Sequence, residues 1–533
     1  MESASVAAGQ AAPAAETGEK GLKKNAIGFI DGLCIGLAST APAYSLAAVI
    51  GSIVVAVGIK APGVLLLSFV PMFFIAAAFY YMNRVDTDCG TTFSWVTRAM
   101  GPYAGFLGGW AICTTGILVI GSLADVSALF FFDLFDFNDL RKSDLANVVL
   151  AVAIIAVMTA ICVIGTEISA HLQRVLTLGQ VAILLLFAIV AFVKIATGDA
   201  PAASIDPELG WLSPFGAEYS GLLTGVLLGV FIYWGWESAV NLSEESKDSS
   251  RAPGLAGLAS TVILLVTYVA VGVALIAYLG LDRIEVFDDN ARVLAIGGNA
   301  VLGDELGKLL IIAVIVSGIS SAQTTILPGS RTSLSMAAAG ALPRAFASIH
   351  PRYLTPAFGT IVVGGLAVLW YVPGRLISEN FLFDSLSALS LLIAFYYSLT
   401  GFACAIYWRH ELLRSAKNLV FIGIAPLIGA GLLVYLLFES ARDLSDPQAS
   451  YSGSELFGLG MPLAIALVFF GLGVVLMVLW RLFGPPQSKE FFARRPLEAC
   501  PREVAIGDAK VEAIGISEED ADAGTTGDQE RRS

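Results

Sequence analysis

The sequence predicts an all-α integral membrane protein with twelve membrane-spanning helices. Of its 533 residues, 56% are hydrophobic and only 14% are charged, and the mean hydropathy is +0.77. A soluble domain carries roughly 25% charged residues, so this composition indicates a membrane protein. A helix needs about 20 apolar residues to cross a bilayer. Twelve such segments occur, at residues 27–57, 62–83, 103–133, 145–166, 171–197, 219–241, 254–281, 306–337, 357–373, 383–408, 417–438 and 459–483.

Polar segments flank the twelve helices at both ends. Residues 1–25 have no apolar core, so we expect no cleavable signal peptide, and residues 486–533 are low in hydrophobicity. Both segments are predicted to be disordered tails. If the N-terminus is cytoplasmic, 9 of the 31 Lys and Arg residues fall outside and 22 inside. Because cytoplasmic loops carry the basic excess, both termini are predicted to be cytoplasmic, with the helices in the plasma membrane.

Cysteine and histidine patterns argue against metal or catalytic chemistry. The six cysteines contain no Cys-x-x-Cys pair, and the three histidines all lie at predicted helix ends without metal-ligand spacing. A disulfide framework, a metal site and nucleophilic hydrolysis therefore find no support. We expect no enzyme activity, no cofactor and no nucleic-acid partner. The lipid bilayer is the expected environment, and the oligomeric state is left open.

Two of the segments are broken at matching depth by residues that spoil a helix. The first break is residues 36–43 (Gly-Leu-Ala-Ser-Thr-Ala-Pro-Ala), and the second is residues 231–237 (Phe-Ile-Tyr-Trp-Gly-Trp-Glu). Each break begins about a dozen residues into its segment. Irregular backbone at membrane depth survives only where it lines a cavity. A pair of such breaks in corresponding segments is typical of the binding site of a transporter.

Several separated motifs resemble one transporter family. Residues 89–95 (Cys-Gly-Thr-Thr-Phe-Ser-Trp) lead into 101–110 (Gly-Pro-Tyr-Ala-Gly-Phe-Leu-Gly-Gly-Trp). A second motif is Trp234-Gly235-Trp236-Glu237, followed by residues 244–253 (Glu-Glu-Ser-Lys-Asp-Ser-Ser-Arg-Ala-Pro). A third begins at Arg331 and continues through residues 340–356, which contain the sequences Gly-Ala-Leu-Pro, His-Pro and Thr-Pro. In this order the motifs resemble those of the amino acid–polyamine–organocation (APC) permeases, over about residues 26–408.

The resemblance implies a leucine-transporter-type fold with two inverted repeats of five helices. The first repeat would cover residues 26–197 and the second residues 219–408. Broken helices 1 and 6 of this fold would correspond to the two breaks. Two extra helices, 11 and 12, would occupy residues 417–483.

The first break is predicted to bind substrate through hydroxyls and freed backbone groups. Its candidate residues are Ser39, Thr40, Ala41, Pro42 and Ala43. The N-terminus of a half-helix carries partial positive charge and suits a carboxylate, whereas Pro42 has no N–H to offer. The family usually has a Gly-rich stretch here, so this departure leaves fewer donors for a carboxylate. Alternatively, the hydroxyls only bond the preceding turn.

The second break is predicted to contribute aromatic rings and one acid. Phe231 aligns with an aromatic position that stacks over substrate in some family members, and Trp234 and Gly235 lie nearby. Either ring offers a cation–π face to an amine, or simply packs. A carboxylate inside a membrane helix is a functional hypothesis by default, so Glu237 is predicted to carry a proton or to gate. The alternative is a structural acid bonded to neighbouring backbone or to Asn241.

Other helices supply further candidates. Cys113 and Ile117 match substrate-facing positions of the family's arginine/agmatine exchangers, and Gln323 and Thr325 are predicted to face the substrate as well. Ser320 and Ser321 either complete a cation site with carbonyls of the first break or join helices. Gln180 aligns with a lysine that replaces sodium in some proton-coupled members. Gln cannot carry that proton, which leaves Glu237 as the coupling candidate.

These features together predict a permease. It would move amino acids or related amines across the plasma membrane by alternating access, as a symporter or exchanger with a proton as candidate partner. A polyamine or amine transporter or exchanger is the alternative substrate class. A non-transporting sensor of the same fold fits the same residues. A major-facilitator carrier is disfavoured because the loop after the second segment reads Asn-Arg-Val-Asp-Thr-Asp and the central loop spans only about 242–253.

Overall fold

Long apolar helices make up nearly all of the structure. The structure, a computed structural model, describes residues 19–281, 284, 293–378 and 380–496. Within these ranges, eleven helical stretches are long and apolar enough to cross a membrane. The first stretch, Phe29–Asn83, is 55 residues long and contains two of the predicted segments. The observed stretches are therefore consistent with twelve crossings.

The first half of the chain contains seven main helices. They are α1 (Phe29–Ser39), α2 (Pro42–Val57), α3 (Ala61–Asn83), α4 (Thr92–Met100), α5 (Pro102–Leu134), α6 (Asp144–Ile164) and α7 (Thr166–Thr197). Shorter pieces connect them, namely the 3₁₀ turns Gly58–Lys60 and Leu209–Leu212 and the helical turn Asn138–Arg141. Pro42 and Pro102 stand in the first turns of their helices, where a missing N–H costs nothing.

The second half continues the pattern. It contains α8 (Tyr219–Ile232), the 3₁₀ segment Trp236–Glu245, α9 (Ala252–Leu279), α10 (Val293–Leu302), α11 (Asp304–Ala338), α12 (Ala357–Ile377), α13 (Phe381–Tyr407), α14 (Ala425–Asp443), α15 (Met461–Phe483) and α16 (Pro486–Ala493). Short connections are the 3₁₀ turns Arg344–Ala347, Leu412–Arg414 and Pro447–Ala449, the turn Ala416–Asn418, the π-helical Leu419–Ile424, and an antiparallel hairpin of β1 (Glu455–Leu456) and β2 (Leu459–Gly460).

Close packing of α5 against α11 forms the centre of the bundle. A Cβ on Gly318 would lie only 2.1 Å from the Ser127 hydroxyl oxygen, so a larger residue has no room there. Small residues at such crossings let helix backbones approach where no hydrophobic force drives association. Asp125 of α5 accepts a hydrogen bond from the Tyr371 hydroxyl (2.5 Å) and pairs with Arg375 (3.3 Å), which fastens α12 to the same helix.

Parts of the two predicted disordered tails are folded. Lys20 and Leu22 lie within residues 19–25 and contact the loop between α3 and α4. At the other end, Phe491 and Phe492 of α16 are buried against Phe93 and Phe106. Their aromatic area explains why this short polar segment packs onto the bundle. The remaining parts of both predicted tails, residues 1–18 and 497–533, lie outside the described residues.

Candidate functional site

The two broken segments touch each other inside the bundle. Helix α1 ends at Ser39, Ala41 adopts a left-handed conformation (φ 50°, ψ 61°), and Pro42 starts α2. Helix α8 ends at Ile232, and Gly235 has φ 117° before the 3₁₀ segment. A Cβ on Gly235 would lie 2.7 Å from the carbonyl oxygen of Ser39. The backbone of one break therefore runs in direct contact with the backbone of the other.

Hydroxyl groups close around the first break. The oxygens of Ser39 and Ser238 lie 2.6 Å apart and join the two broken segments. Ser321 of α11 donates to the carbonyl oxygen of Ser39 at 2.8 Å, so this serine contacts a carbonyl of the first break. The Thr40 hydroxyl donates to the carbonyl of Leu37 at 2.7 Å. This is a bond to the preceding turn, as expected if the hydroxyl has a structural role and does not bind substrate.

The first break offers few backbone donors. Pro42 contributes no N–H, and the N–H of Tyr44 donates to the Ser317 hydroxyl at 3.2 Å. Two of the first three amide positions of α2 are therefore closed to a substrate carboxylate. Substrate binding by residues 39–43 stays a prediction.

Glu237 accepts three hydrogen bonds at the second break. Its Oε1 accepts from the Tyr396 hydroxyl and its Oε2 from the Tyr397 hydroxyl, both at 2.5 Å. Oε2 also accepts from the N–H of Gly235 at 3.0 Å. The Trp234 indole N–H donates in turn to the Tyr396 oxygen. The carboxylate, which is only 2% exposed, thus links the second break to α13.

The two tyrosines are partners that sequence reasoning missed. They lie 159 and 160 residues from Glu237 in an apolar segment, where adjacent phenols were the only signal. Of the partners that the structural alternative named, neighbouring backbone is present as the N–H of Gly235, whereas Asn241 donates to the Cys89 carbonyl at 3.0 Å. Phe231 and Trp234 are 3% and 7% exposed, so both predicted aromatics are buried, and the Trp234 indole belongs to this network.

The candidates on α5 pack against α11, whereas Gln323 of α11 points to α7. The Cys113 thiol donates to the Gly329 carbonyl at 3.6 Å, and Ile117 is buried in an apolar cluster. Thr325 is 2% exposed, and its hydroxyl has no partner among the described residues. Gln323 faces α7, because its side-chain oxygen accepts from Gln173 at 2.8 Å.

Unpartnered polar atoms line the contact of α7 with α1 and α11. Gln173 donates to the Ser320 carbonyl at 3.2 Å, and Thr177 donates to the Cys34 carbonyl at 3.4 Å. Gln180 follows one turn later and is 1% exposed, yet neither of its amide atoms has a partner in the described part of the chain. The Ser320 hydroxyl likewise has no partner among the described residues. Buried polar atoms of this kind call for water or an ion.

Comparisons with known proteins agree with this geometry. The sequence profile described as "Amino acid permease" matches residues 26–452. The chain is 24% identical to a methylthioribose transporter of Bacillus subtilis (strain 168), over 66% of this chain and 74% of the relative. It is also 24% identical to the serine/threonine exchanger SteT of the same organism, over 72% and 82%. A branched-chain amino acid permease of Lactococcus lactis subsp. cremoris is 23% identical, over 67% and 77%.

A solved structure supports the fold. The crystal structure of MhsT in complex with L-phenylalanine superposes with a TM-score of 0.53 at 16% identity, covering 76% of this chain and 98% of that one. This likeness concerns the fold, and it confirms the predicted leucine-transporter-type class. The profile match extends over most of the chain and confirms the predicted family. The chain therefore belongs to the amino acid permease family of the APC superfamily and is a secondary transporter.

Proposed function

We propose that this transporter moves amino acids or related amines across the plasma membrane by alternating access, with Glu237 carrying a coupled proton. The observation that carries the proposal is the carboxylate of Glu237, which lies at a gap between half-helices and is bonded to Tyr396, Tyr397 and Gly235. Ionisable groups within membrane segments commonly belong to proton relays.

Protonation of Glu237 would change the number of bonds it accepts. The ionised carboxylate accepts from both tyrosines and from Gly235. The protonated form carries one O–H donor and has fewer acceptor sites, so we expect the hydrogen bond of at least one phenol to break or to reverse. If that bond breaks, the link between the second break and α13 is weaker. A proton on Glu237 thereby biases the relative position of two elements, which is what a coupled transporter requires.

The chemistry around the breaks supports an amine-bearing substrate. A positively charged group suits the face of the Trp234 ring and the negative charge of Glu237. A substrate carboxylate would depend on the remaining amides and hydroxyls near the first break. Pro42 has no N–H, and the N–H of Tyr44 already donates to Ser317. An amino acid uses both ends of this site, whereas an amine or polyamine uses only the second. The amine or polyamine exchanger is therefore the second candidate.

The distribution of basic residues supports the proposed orientation. With the N-terminus inside, 22 of the 31 Lys and Arg residues fall on the cytoplasmic side or its tails. Lys20 and Arg98, which lie near the start of the chain and at the end of α4, would then be cytoplasmic. On this basis we propose that both termini are cytoplasmic and that the membrane is the plasma membrane.

Uptake by reconstituted liposomes tests the proposal. Thermal shift first selects a binder from amino acids, amines, polyamines and methylthioribose, which cover the substrates named for the relatives. Radiolabelled uptake of that binder is then measured with and without an inward proton gradient. We expect the gradient to drive accumulation by the wild type but not by Glu237→Gln. Glu218→Gln, an exposed acid before the same broken segment, should behave as the wild type.

Three outcomes would redirect the proposal. Binding without any flux would identify a sensor. Accumulation that follows a sodium gradient and ignores pH would transfer coupling to the region of Ser321 and Gln180. Full proton-driven accumulation by Glu237→Gln would remove Glu237 from coupling while leaving the transporter assignment intact.

A further inference from the structure

A short segment before α1 lies across the end of the bundle at which α1 begins. We call residues 20–27 the N-terminal strap and this end of the bundle the N-terminal face. The ammonium group of Lys20 lies 2.8 Å from Asp88 Oδ2 and 2.6 Å from Glu244 Oε1. Asp88 belongs to the loop between α3 and α4, and Glu244 to the end of the 3₁₀ segment. One tethered cation therefore bridges an element of each half of the chain.

The surrounding groups hold this cation in place. Asp88 Oδ1 accepts from the Ser335 hydroxyl (2.6 Å) and from the N–H of Gly90 (2.7 Å), and Glu244 Oε1 accepts from the N–H of Cys89 (2.9 Å). Burial opposes ionisation of Asp88, but Lys20 outweighs it and lowers the pKa of Asp88 to about 2. The Lys20–Asp88 pair therefore remains charged across the physiological pH range.

Apolar and backbone contacts extend the strap. Leu22 is fully buried and packs with Cys89 and with Leu334 of α11. At the other end of the strap, the N–H of Ile27 donates to the Glu245 carbonyl (3.0 Å), and its carbonyl accepts from the N–H of Lys247 (2.9 Å). The strap thus fastens the loop after α3, the end of the 3₁₀ segment and α11 together.

We propose that the N-terminal strap is a latch that keeps the N-terminal face closed and detaches when this face opens. A rigid bundle can expose its central site on this face only if elements of the two halves separate, and Lys20 ties two such elements. Release of Lys20 leaves two carboxylates, Asp88 and Glu244, without their cation. Their repulsion then favours separation of the same two elements. The inference rests on alternating access but not on Glu237 coupling.

Cys89 is a natural reporter of the latch. Its side chain is fully buried beneath the strap, and its sulfur lies 3.8 Å from the Lys20 nitrogen. Burial raises the pKa of the Cys89 thiol well above its ordinary value, which keeps it unreactive while the strap is closed. Alkylation of Cys89 therefore measures how often the strap detaches.

The test compares maleimide labelling rates in two purified full-length backgrounds. One retains only Cys89, and the other retains only Cys404, which is fully buried in α13 and reports global unfolding. In the first background, Lys20→Gln should label about tenfold faster than the parent, equivalent to about 1.4 kcal/mol of latch stability. Lys24→Gln, an exposed neighbour with the same charge change, and Lys20→Arg should label at the parental rate. Leu22→Asn should label faster, as Lys20→Gln does.

The remaining outcomes are decisive in the other direction. If Lys20→Gln labels Cys89 no faster than Lys24→Gln, the latch does not exist. If Lys20→Gln accelerates Cys404 as much as Cys89, the strap only stabilises the fold, and the proposal fails. Labelling is read without any substrate. A latch that responds while proton-driven uptake is absent therefore refutes the proposed coupling alone, and the reverse result refutes the latch alone.

Discussion

Replacing Gly235 by alanine would force the two breaks apart at the point where they touch. The residue has φ 117°, a conformation that side chains rarely adopt, and its new Cβ would lie 2.7 Å from the Ser39 carbonyl oxygen, 2.8 Å from the Ser39 carbonyl carbon and 3.0 Å from the Thr40 nitrogen. All three atoms belong to the backbone, so no side-chain rotation relieves the overlap. The first break has to move.

The cost follows from two physical terms. A residue held in a sparsely populated conformation costs about 1–3 kcal/mol, and overpacking of a buried contact costs about 1–3 kcal/mol more. The sum, about 2–6 kcal/mol, is a large share of the 5–15 kcal/mol by which proteins of ordinary stability are folded. We therefore expect Gly235→Ala to fold with reduced stability and to transport poorly, because its two half-helices no longer meet.

Thermal unfolding in detergent and liposome uptake check this prediction against a matched control. Gly431→Ala in α14 makes the same chemical change where no atom lies within 4 Å of the new Cβ, and alanine there is favourable by about 0.5–1 kcal/mol. The control should match or exceed wild-type stability and transport normally. Equal stability and equal uptake for the two variants would refute the contact between the breaks.

Three further predictions concern the supports of the site. Arg331→Met removes both bonds from the fully buried Glu245 (3.1 and 3.2 Å) and should lower the free energy of unfolding by about 3–5 kcal/mol, partly recovered in the double variant with Glu245→Gln. Gln173→Met should lower the free energy of unfolding by about 1–3 kcal/mol, because the Ser320 carbonyl and the Gln323 side-chain oxygen both lose the donor that Gln173 supplies; thermal unfolding of the variant and the wild type measures the loss. Burial raises the pKa of Asp86 from 3.8 to about 6, so the folded state binds this proton more tightly than the unfolded state does. The free energy of unfolding should therefore fall as the pH rises from about 4 to 6. In Asp86→Asn, the unfolding temperature should depend less on pH over this range.

Sequence reasoning succeeded where the bilayer imposes a strong rule. Apolar runs of membrane length correspond to the observed helices, and helix-breaking residues such as Pro42 and Gly235 follow shortly after the ends of α1 and α8. These signals are local, since lipid gives an irregular backbone no partner. The close approach of the two breaks follows from the repeat that the resemblance implied.

Contacts between distant residues were not predictable in the same way. No residue near Glu237 in the sequence predicts its bonds to Tyr396 and Tyr397, because a hydrogen-bonded pair separated by 159 residues leaves no local pattern. The position of Gln323 in a polar run predicts a substrate-facing amide, and nothing in that run indicates the bond that its side-chain oxygen accepts from Gln173 on α7. Lys20 lies in a segment whose composition is typical of a disordered tail, but it pairs with two carboxylates far along the chain, Asp88 and Glu244.

Proton movement during transport tests the central claim most directly. Liposomes containing a pH-sensitive dye report proton entry when the selected substrate is added outside without an imposed gradient. We expect wild-type protein and Glu218→Gln to acidify the interior as substrate enters. Glu237→Gln should acidify nothing, even if it still exchanges substrate, because the amide keeps the shape of the side chain but cannot carry the proton. Equal acidification by wild type and Glu237→Gln would contradict the account.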